Sequence, residues 1–376
     1  MRALPLAIAA VAVGLLAGAA WWLLDRQASD RREDPGLAVP GFATRVEAID
    51  DIELRGAGGE VLLHIEKVDG TWVMPDRDGW PANQREVSRA LFRLGQARRI
   101  EAKTRNPALH ARLGVEDVAS PGAKGTELRL QGGGEPVHLV VGNNHPSLGG
   151  SYVRIGDDPQ AWLLDQDIGP AREPTDWLDR RLLDIPMARV EEVRVTPAKG
   201  RGFRLSRVDD RFSLDGQPPA AMTDPDAGNG TAGVPDQLPF DDLAVDTGAE
   251  PIQVVEFIGV DGVVIRLEAW RDDRGTWARL AATLDEAAAL AWFEQSAAAG
   301  EAEAVEPQAA EPSEVAAGED AAAEPTDAAP PAERVAGLRA RVDAWQASFE
   351  GRQFLLPPYK AAPLMRSRND YLAGTR

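Results

Sequence analysis

The chain has 376 residues, a formal charge of −19 at neutral pH and no cysteine. That length accommodates two domains. The charge excludes the basic footprint of a nucleic-acid binder and simple adsorption to anionic lipid, and the missing cysteine excludes disulfide scaffolds, thiol catalysis, cysteine-based metal sites and a cysteine-linked lipid anchor.

The acidity is local. Ten acidic and no basic residues fall between 300 and 333, whereas eight basic and three acidic residues follow from 334 to the end.

Ala3 and Leu24 bound 22 residues without a charge. As a helix at about 1.5 Å per residue this run spans roughly 33 Å, enough for a hydrocarbon core of about 30 Å. Trp21 and Trp22 stand at its far end, where an interfacial aromatic belt falls. Arg2 and the amino terminus are positive, and residues 25–34 mix three arginines with four acids. The positive-inside rule then places the N-terminus in the cytoplasm and the rest of the chain outside. Ala17-Gly18-Ala19 resembles a signal-peptidase site, so a cleaved leader remains the rival reading. The length of the run and the tryptophan pair favour a retained anchor. Residues 25–41 read as a polar juxtamembrane linker.

Folded structure is expected from residue 42. Residues 46–55 and 61–68 are strand candidates, the second with Val61, Leu63 and Ile65 on one face. Asp69-Gly70 is a hairpin signal, and Trp72 and Met74 alternate on the return strand. Asn83, with Glu86 three residues on, opens a helix whose stripe is Val87, Leu91 and Leu94. Residues 109–115 form a helical turn closed by Gly114. Residues 126–130 and 137–141 are strands joined by glycines 132–134, and 152–155 with 161–164 form another hairpin. Residues 177–183 have the spacing of a short helix. The pattern is α+β and mainly antiparallel rather than the strand–helix alternation of a parallel sheet.

The pattern then restarts. Residues 200–214, GRGFRLSRVDDRFSL, lie without a gap on residues 60–74, EVLLHIEKVDGTWVM, at an offset of 140. WARL at 277–280 matches YVRI at 152–155, and Trp345 with Pro357 resembles Trp177 with Pro186, at offsets of 125 and 168. Two related halves are expected, 42–186 and 187–296 continuing at 334–372, each β-rich with packed helices. Fifteen residues are missing where the first half has its long helix, and residues 220–242 are rich in Pro, Gly and Asp there. Residues 297–333, rich in Ala, Glu and Pro, read as a disordered acidic insertion. Residues 284–293 and 333–349 are helical, and 354–356 form a last strand.

The order of motifs resembles a known family. A K-x-D-G-x-W turn (Lys67 to Trp72) precedes Pro81-Ala82-Asn83 and a V-x-x-x-L-x-x-L helix. YVR at 152–154, DW-x-x-R-x-L at 176–182 and FLLPPYKAAPLM…RNDYL at 354–372 follow. These residues are similar to the bacterial domain-of-unknown-function family 4340, over roughly residues 42–372 apart from the acidic insertion. The chain departs from that pattern in the insertion and in the missing second helix. The family has no established activity or catalytic residues, so none is carried over. What the resemblance implies is a periplasmic accessory, anchored in the inner membrane, of an ABC-type exporter with its permease and gliding-motility-like auxiliary subunits.

No nucleotide-binding P-loop and no G-x-S-x-G is present. His64, His110, His138 and His145 make no metal-ligand spacing, and His64 and His138 fall inside strands. Asp224, Asp226 and Asn229 superficially suggest a calcium loop, but Gly228 stands where a ligand is needed. Asn143-Asn144-His145 reads as a polar turn, and Trp72, Trp162, Trp177, Trp277 and Trp345 read as core. No catalytic, metal or cofactor residues are assigned. The expectation is a non-enzymatic binding or assembly protein, with Asp224, Asp226, Asn229 and Phe240 as a partner surface where the second half lacks its helix. The alternatives are an envelope glycan or peptidoglycan hydrolase, for which Asp176, Asp179 and Asp184 are the carboxylates to watch, and a small-ligand sensor.

Overall fold

The computed structural model describes residues 36–218, 222–303 and 329–372. The apolar run from Ala3 to Leu24, with Trp21 and Trp22, lies outside these residues, as does most of the acidic insertion. Among the described residues no helix is long and apolar enough to cross a membrane. The chain divides into two compact units, Met1–Asp179 and Arg180–Arg376.

The first unit contains β1 (Ile49–Arg55), β2 (Val61–Val68), β3 (Thr71–Met74), β4 (Trp80–Pro81), α1 (Gln84–Gln96), β5 (Arg99–Ala102), α2 (His110–Leu113), β6 (Thr126–Gly132), β7 (Val137–Asn144), β8 (Ser151–Ile155) and β9 (Ala161–Leu164). They form one antiparallel sheet in the order β4-β3-β2-β1-β6-β7-β8-β9-β5. Period-two alternation buries Ile52, Leu54, Leu63, Ile65, Trp72, Leu139 and Val153 on one face. Asp69 and Gly70 both take positive φ, 50° and 84°, as a two-residue hairpin with the strand twist requires. The Asn83 side chain caps α1 by accepting from the amides of Arg85 and Glu86, and the helix buries its expected stripe of Val87, Leu91 and Leu94. The Glu86 carboxylate does not reach back as a capping box would; it pairs with Arg89.

The second unit contains β10 (Arg181–Leu183), β11 (Val190–Pro197), β12 (Phe203–Val208), β13 (Arg211–Leu214), α3 (Ala227–Ala232), β14 (Leu238–Pro239), β15 (Asp242–Val245), β16 (Gln253–Gly259), β17 (Val263–Arg271), β18 (Thr276–Leu284), α4 (Glu286–Glu303), α5 (Pro331–Phe349), β19 (Arg352–Leu356) and α6 (Pro358–Leu364). Its main sheet runs β13-β12-β11-β16-β17-β18-β19-β15, and β10 pairs with β14 alone.

Strand for strand, that order reproduces β3-β2-β1-β6-β7-β8-β9-β5. The registers agree as well. Ile52↔Ile65 and Leu54↔Leu63 become Val193↔Leu205 and Val195↔Phe203. Val140↔Arg154 and Val153↔Trp162 become Glu268↔Arg279 and Ala278↔Phe354. A register shift between Ile49 and Asp51 against β6 recurs between Val190 and Glu192 against β16. At that shift a glycine faces the irregularity in both sheets. A Cβ on Gly132 would collide with the Ala48 carbonyl, and one on Gly259 with the Asp261 carboxylate.

Several expectations are corrected. Residues 177–183 are not a helix: a 3-10 turn, Pro174–Trp177, is followed by the extended β10. Pairing with β14 and burial of Leu182 and Leu183 override the local helical spacing. β10 belongs with β14, and the chain divides into its two compact units at Asp179/Arg180. Trp345 is not the counterpart of Trp177. The Asn83 amide donates to the Trp177 carbonyl at 2.6 Å, and the equivalent Thr223 amide donates to the Tyr371 carbonyl at 3.0 Å. Both acceptors close 3-10 turns, and both are followed by a bridging leucine, Ala82↔Leu178 and Met222↔Leu372. Tyr371 therefore stands in the place of Trp177, while Trp345 sits in α5, part of an excursion between β18 and β19 where the first unit turns tightly at 156–160. Residues 297–303 continue α4, and α5 already begins at Pro331, so the two ends of the expected disordered segment are helical.

Candidate functional site

The outward face of the first sheet is polar. The register places Arg55, Glu127, Val140 and Arg154 side by side across β1, β6, β7 and β8. The next row carries Glu53, Arg129 and His138. Arg55 grips Glu53 through Nε and Nη2 at 2.6 and 3.2 Å, and Arg129 reaches Glu127 at 3.1 Å. The hydrogen bond from Arg55, outweighing burial, holds the Glu53 carboxyl below its usual range.

Over this face lies the chain between β5 and β6. Its residues Val115 and Val118 pack with Val140 and Ala161 in a small apolar cluster edged by Leu113 and Tyr152. Between this cover and the strands is a groove of about 590 Å³, lined among others by Arg55, Arg129, Arg154, His138, Val118 and Val140. His138 faces Asp157 at its rim, 3.4 Å away. The second unit has only residues 246–252 between β15 and β16, and its outward face is a closed charge network. Arg266 bonds Glu256 and Glu268, and Arg279 bonds Glu268, Asp246 and the Ala249 carbonyl.

A second groove, about 790 Å³, follows α1. Its apolar wall is Ala43, Val46, Trp72, Leu91 and Phe92, and Lys67, Arg89 and Glu47 edge it. Phe92 is 64% exposed although the other large apolar residues of its helix, Val87, Leu91 and Leu94, are buried. The Lys67 ammonium lies 5.6 Å from the Trp72 ring centroid.

Of the residues expected as a partner surface in the second unit, Asp224 and Asp226 are exposed, Asn229 is half-buried and Phe240 is buried. α3 fills the place of α1 with six residues instead of thirteen. Asn229 Oδ1 accepts from the Phe212 amide and its Nδ2 donates to the Asp210 carbonyl. Gln84 does the same work in the first unit, accepting from the Trp72 amide and donating to the Trp72 and Ala82 carbonyls. Asp226 pairs with Arg211 at 3.0 Å, and Asp224 accepts from the Asp226 amide. Phe240 is fully buried, edge-on to Phe354 at 5.4 Å, and offers no side chain to a partner. The C-terminal segment straps over α3. Tyr371 shares a 2.6 Å hydrogen bond with Thr231, and Lys360 donates to the carbonyls of Gly233, Val234 and Asp236.

The remaining candidates are turn and core residues. His145 Nδ1 accepts from the Ser147 and Leu148 amides, and buried Ser151 bonds Asn144 and Asp167. Trp72, Trp162, Trp177 and Trp277 are buried. Neither groove is lined by Asp176, Asp179 or Asp184. Among the described residues no cluster of three or more His, Asp or Glu is placed to hold a metal ion. Sequence reasoning missed Phe92 and the Arg55–Arg129–Arg154 face. An arginine on an alternating strand reads as an ordinary solvated residue, and nothing in the spacing signals a groove above it.

The fold thus defines an α+β protein with two large antiparallel sheets flanked by helices. The family described as a domain of unknown function (DUF4340) matches residues 72–259, half of the chain, and the protein belongs to that family. The match runs from Trp72 on β3 to Gly259 at the end of β16, so it takes in parts of both units. Comparison with the curated proteins and with the solved structures found no match.

Proposed function

We propose that this protein is a non-enzymatic binding and assembly component, anchored by a single N-terminal span in a bacterial inner membrane with its bulk in the periplasm. In this reading it serves an ABC-type export system, and two copies of one ancestral unit build it. The observation that carries the binding role is the α1 groove, where an exposed Phe92 stands beside Leu91 and Trp72 in a concave apolar strip. Arg85, Arg89 and Arg93 ring the outer side of that helix with Glu86 as the one acid among them. The complementary occupant is a periplasmic segment of a membrane-embedded partner with apolar anchors and acidic flanks. Position favours such a partner. The Ala38 amide donates to Ala97 and the Arg99 amide to Gly36, which fastens the start of the folded part to the end of α1. The 12 residues from Leu24 to Gly36 reach at most about 40 Å, so the groove stays near the bilayer in this topology. The shared strand order, register and β-irregularity support the duplication, because two independently assembled sheets have no reason to share an irregular step.

The test is site-specific photocrosslinking from position 92 in native membranes, read by mass spectrometry. Adducts with a transporter permease or its auxiliary subunit, lost in the exposed charge reversal Arg89→Glu, are expected. Adducts confined to soluble proteins, or a reporter fused after Arg376 that is active in the cytoplasm, overturn the reading.

A further inference from the structure

The two units serve as controls for each other. Arg154 on β8 and Arg279 on β18 occupy the same register position, opposite Val140 and Glu268 respectively. Arg279 spends four of its five N–H groups within the protein: Nε and Nη2 bond Glu268 at 3.3 and 3.0 Å, Nη1 bonds Asp246 at 3.0 Å, and Nη2 also reaches the Ala249 carbonyl at 2.8 Å. In the first unit the position of Glu268 is taken by Val140, which is buried in the apolar cluster. The arginine has been kept and its carboxylates have not. Its Nε donates to the Val115 carbonyl at 3.2 Å, and among the described residues its guanidinium makes no ion pair. It lines the groove of about 590 Å³.

The neighbouring charges do not substitute for the lost partners. The carboxylates of Glu53 and Glu127 are committed to Arg55 and Arg129. Asp117 spends a carboxylate oxygen on the Ala119 amide, and Asp157 is a fully exposed rim residue facing His138. A half-buried guanidinium with both terminal NH2 groups free of a protein carboxylate is a fork for a planar or tetrahedral oxyanion. Val140 on the sheet and Val118 on the cover supply apolar walls for the body of a ligand.

We propose that Arg154 is the anion-holding residue of a ligand subsite in this groove, taking the carboxylate or phosphate of a small molecule in place of the carboxylates that Arg279 has within the protein. The segment between β5 and β6, present at this length only in the first unit, is the cover of that subsite. This site is separate from the α1 groove, and either can fail without the other.

The experiment is isothermal titration of the detergent-solubilised full chain with inorganic phosphate in one arm and succinate in the other. Saturable binding in at least one arm is expected, and the arm that binds names the oxyanion. Arg154→Gln, which keeps a donor for the Val115 carbonyl, weakens it at least about tenfold, the worth of one lost charge-assisted contact. Val140→Glu abolishes it by restoring the internal partner, and Arg279→Gln leaves it unchanged. Hydrogen exchange over residues 110–120 is followed in the same variants. Absence of saturable binding in both arms overturns the proposal. So does an Arg154→Gln protein with unchanged affinity but faster exchange in that segment, since Arg154 is then only a tether.

Discussion

Asp51 and His64 lie diagonally across β1 and β2, with Oδ2 and Nε2 2.8 Å apart on the outward face. Burial pulls the imidazole pKa down. The hydrogen bond to Asp51 and the charges of Asp51, Glu66 and Asp76 outweigh it, so the net direction is upward. A histidine raised in the folded state contributes stability that is fully present below its unfolded value, about 6.5, and is lost as pH rises through the folded value. An NMR titration should therefore give His64 a midpoint above that of an unperturbed histidine side chain, and Asp51→Asn should lower it. Carboxylates behave in the opposite sense. Burial opposes ionisation of Glu268, yet the hydrogen bonds of Arg266 and Arg279 hold it below its usual range. Its contribution is present above the unfolded value and is lost as pH falls through the folded one. Glu268→Gln should flatten the acid limb of the stability curve in urea titrations between about pH 5 and pH 3. Tyr371 is a third residue-scale case, because its buried hydroxyl meets Thr231 at 2.6 Å beneath the C-terminal strap. Tyr371→Phe should cost about 1 kcal/mol in denaturant midpoint with the slope unchanged.

At the scale of elements, the hairpin-to-helix clamp is the part that both units retain. Gln84 at the start of α1 and Asn229 in α3 each hold a backbone amide and a carbonyl of the hairpin through an amide side chain. Removing either leaves strand groups unpaired under a packed helix, so Gln84→Ala and Asn229→Ala should each lose about 1–3 kcal/mol, read by chemical denaturation. Asn229→Asp should lose most of that, because a carboxylate accepts the Phe212 amide but cannot donate to Asp210. The clamp was invisible in the sequence, where Asn229 looked like part of an open acidic loop. Much else was legible. The gapless match of 60–74 with 200–214 carried the hairpin and its register, because period-two burial and a turn at Asp69 or Asp209 leave little freedom. The errors arose where local pattern and tertiary pairing disagree. Leu178, Leu182 and Leu183 have helical spacing, but β14 pairs with Arg181 and Leu183 and holds the segment extended. Trp345 carried the visible identity to Trp177, whereas the true counterpart, Tyr371, keeps the turn and the backbone bond under a changed aromatic. Arg154 was legible only as part of YVR. Its meaning depends on Glu268 standing opposite Arg279, a comparison that needs the register of both sheets.

For the whole molecule, each unit owns a full antiparallel sheet and a core drawn from alternating residues of that sheet and its helices. Ile65 and Leu205 mark the same point in the two cores, at 0% exposure each. Truncating a large buried aliphatic to alanine costs about 2–5 kcal/mol, a large share of the 5–15 kcal/mol that typically holds a domain folded. If each core is self-sufficient, the damage stays where it is made. Ile65→Ala should speed amide exchange through β1–β9 and leave β11–β19 protected, and Leu205→Ala should do the reverse, with hydrogen-exchange mass spectrometry as the readout. Loss of protection spreading evenly through both sheets in either variant would show one cooperative unit instead. The insertion between β18 and β19 makes the comparison sharper. The Arg339 and Glu286 side chains pair α5 with α4, Gln346 accepts from the Ala282 amide on β18, and Phe349 meets Phe354 at 6.2 Å. These contacts tie both helices to the second sheet. Leu205→Ala should therefore deprotect α5 together with β18 and β19, whereas Ile65→Ala should leave α5 as protected as in the parent protein.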